Sequence, residues 1–132
     1  MIRFYFLALC LLIFSACTDQ KVVNYIDNTV RVTFDLQAGF QDHSVRIDID
    51  TAIYFQAILS AAVPFAGPIA SFTTELTREQ HHMAVVWGNG FPTTMIDTVT
   101  FTLAQSPQYF VGLRIQADTV WIKIQDRPFE YM

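Results

Sequence analysis

Basic charge is scarce in this chain. Its 132 residues carry 8 Lys and Arg against 12 Asp and Glu, a formal net charge of −4 at pH 7. A nucleic-acid partner needs a basic patch to neutralise phosphates, and this balance argues against one. Cysteine is nearly absent: Cys10 and Cys17 are the two, and none follows residue 17. The body of the chain therefore holds neither a disulfide framework nor a thiolate metal site, and must be held together by its core. No Gly-x-Ser-x-Gly elbow occurs, so that route to a serine nucleophile is missing. No Asp-rich loop supplies the six or so oxygens that calcium prefers. Internal repeats, low-complexity stretches and a convincing amphipathic helix are also lacking.

What is there begins with an apolar leader. Met1-Ile2-Arg3 is a short positive region, residues 4–14 are almost wholly apolar, and Ser15-Ala16-Cys17 supplies small residues before a cleavage point. Those three segments in that order make a signal peptide over residues 1–16. The apolar run is too short for a permanent transmembrane helix, which takes about 20 residues. It is also apolar on every face, whereas a surface helix of a soluble domain needs a polar one. Removing it leaves 132 − 16 = 116 residues, one domain in size, with 7 basic and 12 acidic side chains and a charge of −5. The positive mean hydropathy of the whole chain, +0.32, is inflated by this leader.

Phe14-Ser15-Ala16-Cys17 resembles the lipobox of bacterial lipoproteins, with Phe14 where Leu is usual. The resemblance implies that Cys17 becomes the acylated N-terminus and that lipid on it tethers the protein to a membrane; two or more acyl chains hold stably where one does not. Thr18 stands where the family's inner-membrane retention signal would be Asp, which implies an outer-membrane, lipid-anchored address in the cell envelope. Residues 17–29 then read as lipid anchor and polar tether, and residues 30–132 as the folded domain.

From Val30 the pattern has period 2. Val30, Val32, Phe34 and Leu36 alternate with Arg31, Thr33 and Asp35, the signature of a half-buried strand. Further strands are expected at 45–50, 53–57, 69–76, 82–87, 97–104, 109–115 and 119–125, separated by turn signals such as Gly88-Asn89-Gly90 and Ser106-Pro107. Eight short strands without a helix predict an all-β fold, a β-sandwich or barrel, and of these a small antiparallel β-sandwich of seven or eight strands is the expectation. In the second hairpin, setting Ile49 opposite Ile53 and Ile47 opposite Phe55 puts all four on the core face, with Asp50-Thr51-Ala52 as the link. In the last hairpin, Ala117-Asp118 as a two-residue loop pairs Ile115 with Val120, Leu113 with Ile122 and Val111 with Ile124. Arg114 then lies opposite Trp121 on the outer face, within reach of a cation–π contact.

Leu76-Thr77-Arg78-Glu79-Gln80-His81 resembles a corner of immunoglobulin-like sandwich domains, where a Leu closes one strand and a His opens the next. The resemblance covers roughly residues 30–125 as a pattern and implies an immunoglobulin-like fold, without conferring a function.

Few residues could carry chemistry. His81 and His82 are adjacent on a strand and point to opposite faces, so they do not converge on one metal; one packed corner histidine and one solvated histidine is the expectation. Asp42 and His43, with Asp48 or Asp50, read as solvated turn residues rather than a divalent-ion site. No metal, cofactor or catalytic residue is assigned, and the domain is expected to be non-enzymatic. Trp87 shares its face with Met83 and Val85 and is expected in the core. Trp121 shares its face with Thr119 and Lys123 and looks outward, joined by Arg114 and Phe110. Trp121, Arg114 and Phe110 are thus the candidate ligand-binding residues, since binding hot spots favour Trp and Arg. The alternative is that the C-terminal tail covers this face with Phe129 and Tyr131. The sequence reads as an interaction module for another envelope protein, or else as a carbohydrate-binding module that stacks a sugar on Trp121.

Overall fold

The computed structural model describes residues 28–60, 67–89 and 94–131. The leader, Cys17 and the tether up to residue 27 lie outside the described residues. Eight strands follow in order: β1 (Thr29–Leu36), β2 (Ser44–Ile49), β3 (Ala52–Ile58), β4 (Ala70–Thr77), β5 (Gln80–Gly88), β6 (Met95–Thr102), β7 (Gln108–Gln116) and β8 (Thr119–Gln125). They form two four-stranded sheets, ordered β4-β1-β7-β8 and β3-β2-β5-β6, packed as a β-sandwich. Alternation explains the packing. Val30, Val32, Phe34 and Leu36 from β1 meet Val45, Ile47 and Ile49 from β2 and Met83, Val85 and Trp87 from β5 in one buried core. Aromatic rings tie the sheets together. Phe34 stacks on Phe72 at 4.8 Å, Phe72 on Phe55 at 5.2 Å, and Phe34 meets Phe101 edge-on at 6.3 Å.

In the first sheet β7 lies beside β1. It runs parallel to β1, pairing Phe34 with Val111 and Leu36 with Leu113. The sandwich is therefore not wholly antiparallel, as the sequence suggested. The chain leaves β6 in one sheet and enters the middle of the other, and a crossing between sheets leaves direction free.

The last hairpin has the expected register, Leu113 opposite Ile122 and Arg114 opposite Trp121. Ala117 and Asp118 both have positive φ, 50° and 58°, the geometry of a two-residue type I′ turn. The second hairpin departs from expectation. Ile47 does pair with Phe55, but Ile49 pairs with Ala52 and Asp48 with Ile53, and Tyr54 is taken up in a bulge. Asp50 and Thr51, at φ 48° and 72°, form a two-residue turn in place of a three-residue link. Ile53 is consequently 60% exposed rather than in the core. The cause is long-range: the Asp50 carboxylate is gripped by His81 and by the backbone N–H of His82, which pins the turn there.

That grip belongs to the Leu76–His81 corner. Leu76 and His81 are both buried, at 4% and 2% exposure. His81 Nδ1 lies 2.5 Å from Asp50 Oδ2 and His81 Nε2 lies 2.8 Å from the Thr77 carbonyl. Both partners are acceptors, so both ring nitrogens must donate, and the imidazole is charged. Burial opposes the charge. The Thr77 carbonyl, the Asp50 carboxylate and the charge of Glu79 outweigh it, and His81 titrates above the ordinary histidine value. Asp50 is held below the usual carboxylate value, chiefly by the hydrogen bond from His81 and then by that from the His82 backbone.

Candidate functional site

The two outer faces of the sandwich are treated differently by the chain. After β8 the tail turns back, with Gln125 Nε2 donating to the carbonyls of Arg127 (2.8 Å) and Pro128 (3.1 Å). It then crosses the β4-β1-β7-β8 sheet. Phe129 lies on Gly112 of β7, where a Cβ would stand 2.8 Å from the ring and 2.5 Å from Gln37 Nε2. Only glycine permits that approach. At the far end the Tyr131 hydroxyl donates to Asp35 Oδ2 at 2.6 Å, and Gln37 Nε2 donates to the Tyr131 oxygen at 3.3 Å. Ser71 Oγ donates to the other oxygen of Asp35 at 2.8 Å, so this outward-facing carboxylate is buried yet bonded on both sides. Burial and then the Asp35 hydrogen bond push the Tyr131 phenol up to about 12.

The tail covers β1 and β7 but stops short of Trp121, which remains 54% exposed. On the β7–β8 part of this face lies a cleft of about 290 Å³ lined by Gln37, Gly112, Arg114, Trp121, Ile122 and Lys123. Arg114 makes no side-chain hydrogen bond or ion pair among the described residues. A second depression of about 210 Å³ adjoins it through Lys123 and is lined by Gln125, Arg127, Pro128, Phe129 and Glu130. The cation–π contact on this face is Lys123 Nζ over the Phe129 ring at 5.9 Å, in place of the Arg114–Trp121 contact that the sequence suggested. Arg114 and Trp121 are cross-strand neighbours as expected.

Of the three candidate ligand-binding residues, Trp121 and Arg114 come together at the cleft. Phe110 does not line it: it sits half-buried at the other end of the hairpin, opposite Gln125. Sequence reasoning left out Gln37 and Gly112, and named Lys123 only as a neighbour of Trp121. Gln37 was within reach, because it continues the outward series Arg31, Thr33, Asp35 one step past β1. The floor at Gly112 was not, since nothing local announces that Phe129 folds onto it.

The outer face of the β3-β2-β5-β6 sheet has no such cover among the described residues. Ile58 is 87% exposed and Ile96 68%, around a central Arg46–Asp48 ion pair with Nε 3.1 Å from Oδ1. The histidines divide as expected. His81 is the packed corner residue, whereas His82 is exposed on this face with Nδ1 3.1 Å from Thr100 Oγ1. His43 is partnered by Asn89 Oδ1 at 3.1 Å, remote in its bonding from Asp48 and Asp50. Trp87 is in the core at 3% exposure. No protein-family model, no curated protein and no solved structure matches this chain.

Proposed function

We propose that this chain is an exported bacterial lipoprotein, anchored to the outer membrane through lipid on Cys17, whose β-sandwich is a non-enzymatic interaction module of the cell envelope. The anchor rests on the leader of residues 1–16 and the lipobox-like Phe14-Ser15-Ala16-Cys17. The binding surface rests on one observation, the half-exposed indole of Trp121 at the edge of a cleft, beside an Arg114 that has no ion pair among the described residues. Exposed Trp and Arg at a concave spot are the side chains on which binding energy concentrates. An envelope protein is the first class of partner for such a surface.

A glycan is the second reading, favoured by the shape of the cleft. Its volume of about 290 Å³ is just below the range for small-ligand sites, which starts near 300 Å³, and matches a single sugar ring rather than a larger ligand. Its lining sets an amide and two cations beside one indole, Ile122 and the Gly112 floor, a mixture that suits a polar ring with an apolar face. Cross-linking the full-length protein in its own cells, with and without Trp121→Ala, tests the surface. A dominant envelope partner lost in the variant supports the reading; equal capture by both refutes Trp121 as the anchor. In the same cells, a clickable fatty acid should label the wild type and leave Cys17→Ser dark.

A further inference from the structure

The two depressions on the tail-crossed face repeat one chemistry. The first joins an aromatic ring and an arginine, Trp121 and Arg114. The second joins Phe129 and Arg127. Lys123 lines both and stands between them. Three of the seven basic side chains that follow residue 16 are gathered here, in a chain whose formal net charge is −4. Elsewhere Arg46 is spent on Asp48 and Arg78 on the carbonyls of Ala104 and Ser106. Arg114 and Arg127 have no side-chain hydrogen bond or ion pair among the described residues. The first depression has no carboxylate in its lining, and the second has only Glu130.

We infer that this face binds a linear acidic saccharide, with successive carboxylate-bearing rings seated on Trp121 and on Phe129. The inference rests on reading the Trp121 face as the binding surface. Each arginine offers a planar fork of donors that matches a carboxylate bidentately, and each aromatic offers a flat apolar face to the ring carbons of a sugar. Lys123, held over Phe129 at 5.9 Å, presents a point charge to both units. Gln37 gives its amide nitrogen to Tyr131 and keeps its carbonyl oxygen for a sugar hydroxyl. A neutral sugar would leave three cations unanswered, and a compact apolar ligand would find too few apolar walls. The second seat is also preorganised, because the tail that lines it is fastened at Gly112 and Asp35.

The test is calorimetric titration of the full-length protein, purified in detergent, with tetragalacturonate, an acidic mannuronate tetramer and neutral maltotetraose. At least one acidic tetramer should bind roughly tenfold or more tighter than maltotetraose, the difference expected of one charge-assisted pair. Trp121→Ala, Arg114→Gln and Arg127→Gln should each weaken that binding by about tenfold while circular dichroism stays that of the wild type. Raising salt from about 0.05 to about 0.5 M should weaken it further, because exposed charges are screened. Failure of both acidic tetramers up to about 10 mM, or equal affinity for the neutral one, overturns the inference. If the acids fail while Trp121→Ala still abolishes capture of an envelope protein, the binding surface stands and its saccharide ligand does not. If Trp121→Ala changes neither, both fall.

Discussion

Replacing His81 with Leu removes the one charged side chain that is buried to within 2% exposure at the corner between β4 and β5. The substitution keeps a side chain of similar bulk in a site that Phe101 already contacts at 5.5 Å, so the loss is polar rather than a cavity. Two hydrogen bonds disappear. That to the Thr77 carbonyl and that to the half-exposed Asp50 are both made by a charged donor, and such bonds contribute about 1.5–3 kcal/mol each. Asp50 can turn to water, so its share belongs at or below the bottom of that range. The Thr77 carbonyl, left facing the new side chain, keeps its full share. The expected cost is about 2–4 kcal/mol near pH 5.5. In urea, with a slope of about 1–3 kcal/mol per molar, the midpoint falls by roughly 1–2 M.

The sign of the pH dependence makes the argument sharper. His81 has a raised value in the folded state, so its contribution is complete below the unfolded value of about 6.5 and is lost as pH rises through the folded one. Asp50 has a lowered value, so its contribution is present above 3.8 and is lost as pH falls through the folded value. The wild type should therefore be more stable at pH 5.5 than at pH 9, and that difference should shrink in His81→Leu. Urea titrations of both proteins at the two pH values measure it. A wild type equally stable at both, or a variant that keeps the whole difference, would refute the doubly donating imidazolium.

Two further substitutions probe the tail. Gly112→Val drives a side chain into Phe129 and Gln37, and should destabilise by about 1–3 kcal/mol while exposing the bonds around residues 126–131 to protease. Limited proteolysis followed by mass spectrometry reads this, and an unchanged cleavage pattern contradicts the packing of Phe129. Tyr131→Phe takes one donor from the buried Asp35 and should cost about 1–3 kcal/mol in thermal or urea unfolding. In the wild type, ultraviolet titration should show a tyrosine still protonated at about pH 11, and that late step should vanish in the variant.

How far the sequence could be read depended on the range of the interactions involved. The β7–β8 hairpin was legible because Ile115, Leu113 and Val111 must face Val120, Ile122 and Ile124 around a short turn, and a slip would move every one of them. The β2–β3 hairpin has an equally clear alternation but was misread by one residue. Its turn is fixed by His81, 31 residues away, and no local pattern carries that bond. The parallel entry of β7 beside β1 was illegible for a related reason: periodicity marks faces, and strand order is a property of the crossing. At the candidate site, Trp121 and Arg114 were found by period alone, whereas the third candidate, Phe110, shares their face but lies too far along the strand.

The tail connects these two scales. The sequence left open whether Phe129 and Tyr131 cover the outer face or leave Trp121 free, and the structure does both. Phe129 and Tyr131 shield Gly112 and Asp35, where the sheet would otherwise expose its backbone and a carboxylate. Phe129 also lines the depression that adjoins the Trp121 cleft through Lys123, so the tail adds a second concave spot to this face. Stability and recognition are then coupled through a single floor residue. Gly112 is part of the cleft floor and the seat of Phe129 alike, so Gly112→Val, which drives a side chain into Phe129 and Gln37, should weaken binding as well as loosen the tail. Trp121→Ala, by contrast, should leave the tail in place and remove binding alone, because the exposed indole takes no part in fastening Phe129 or Tyr131.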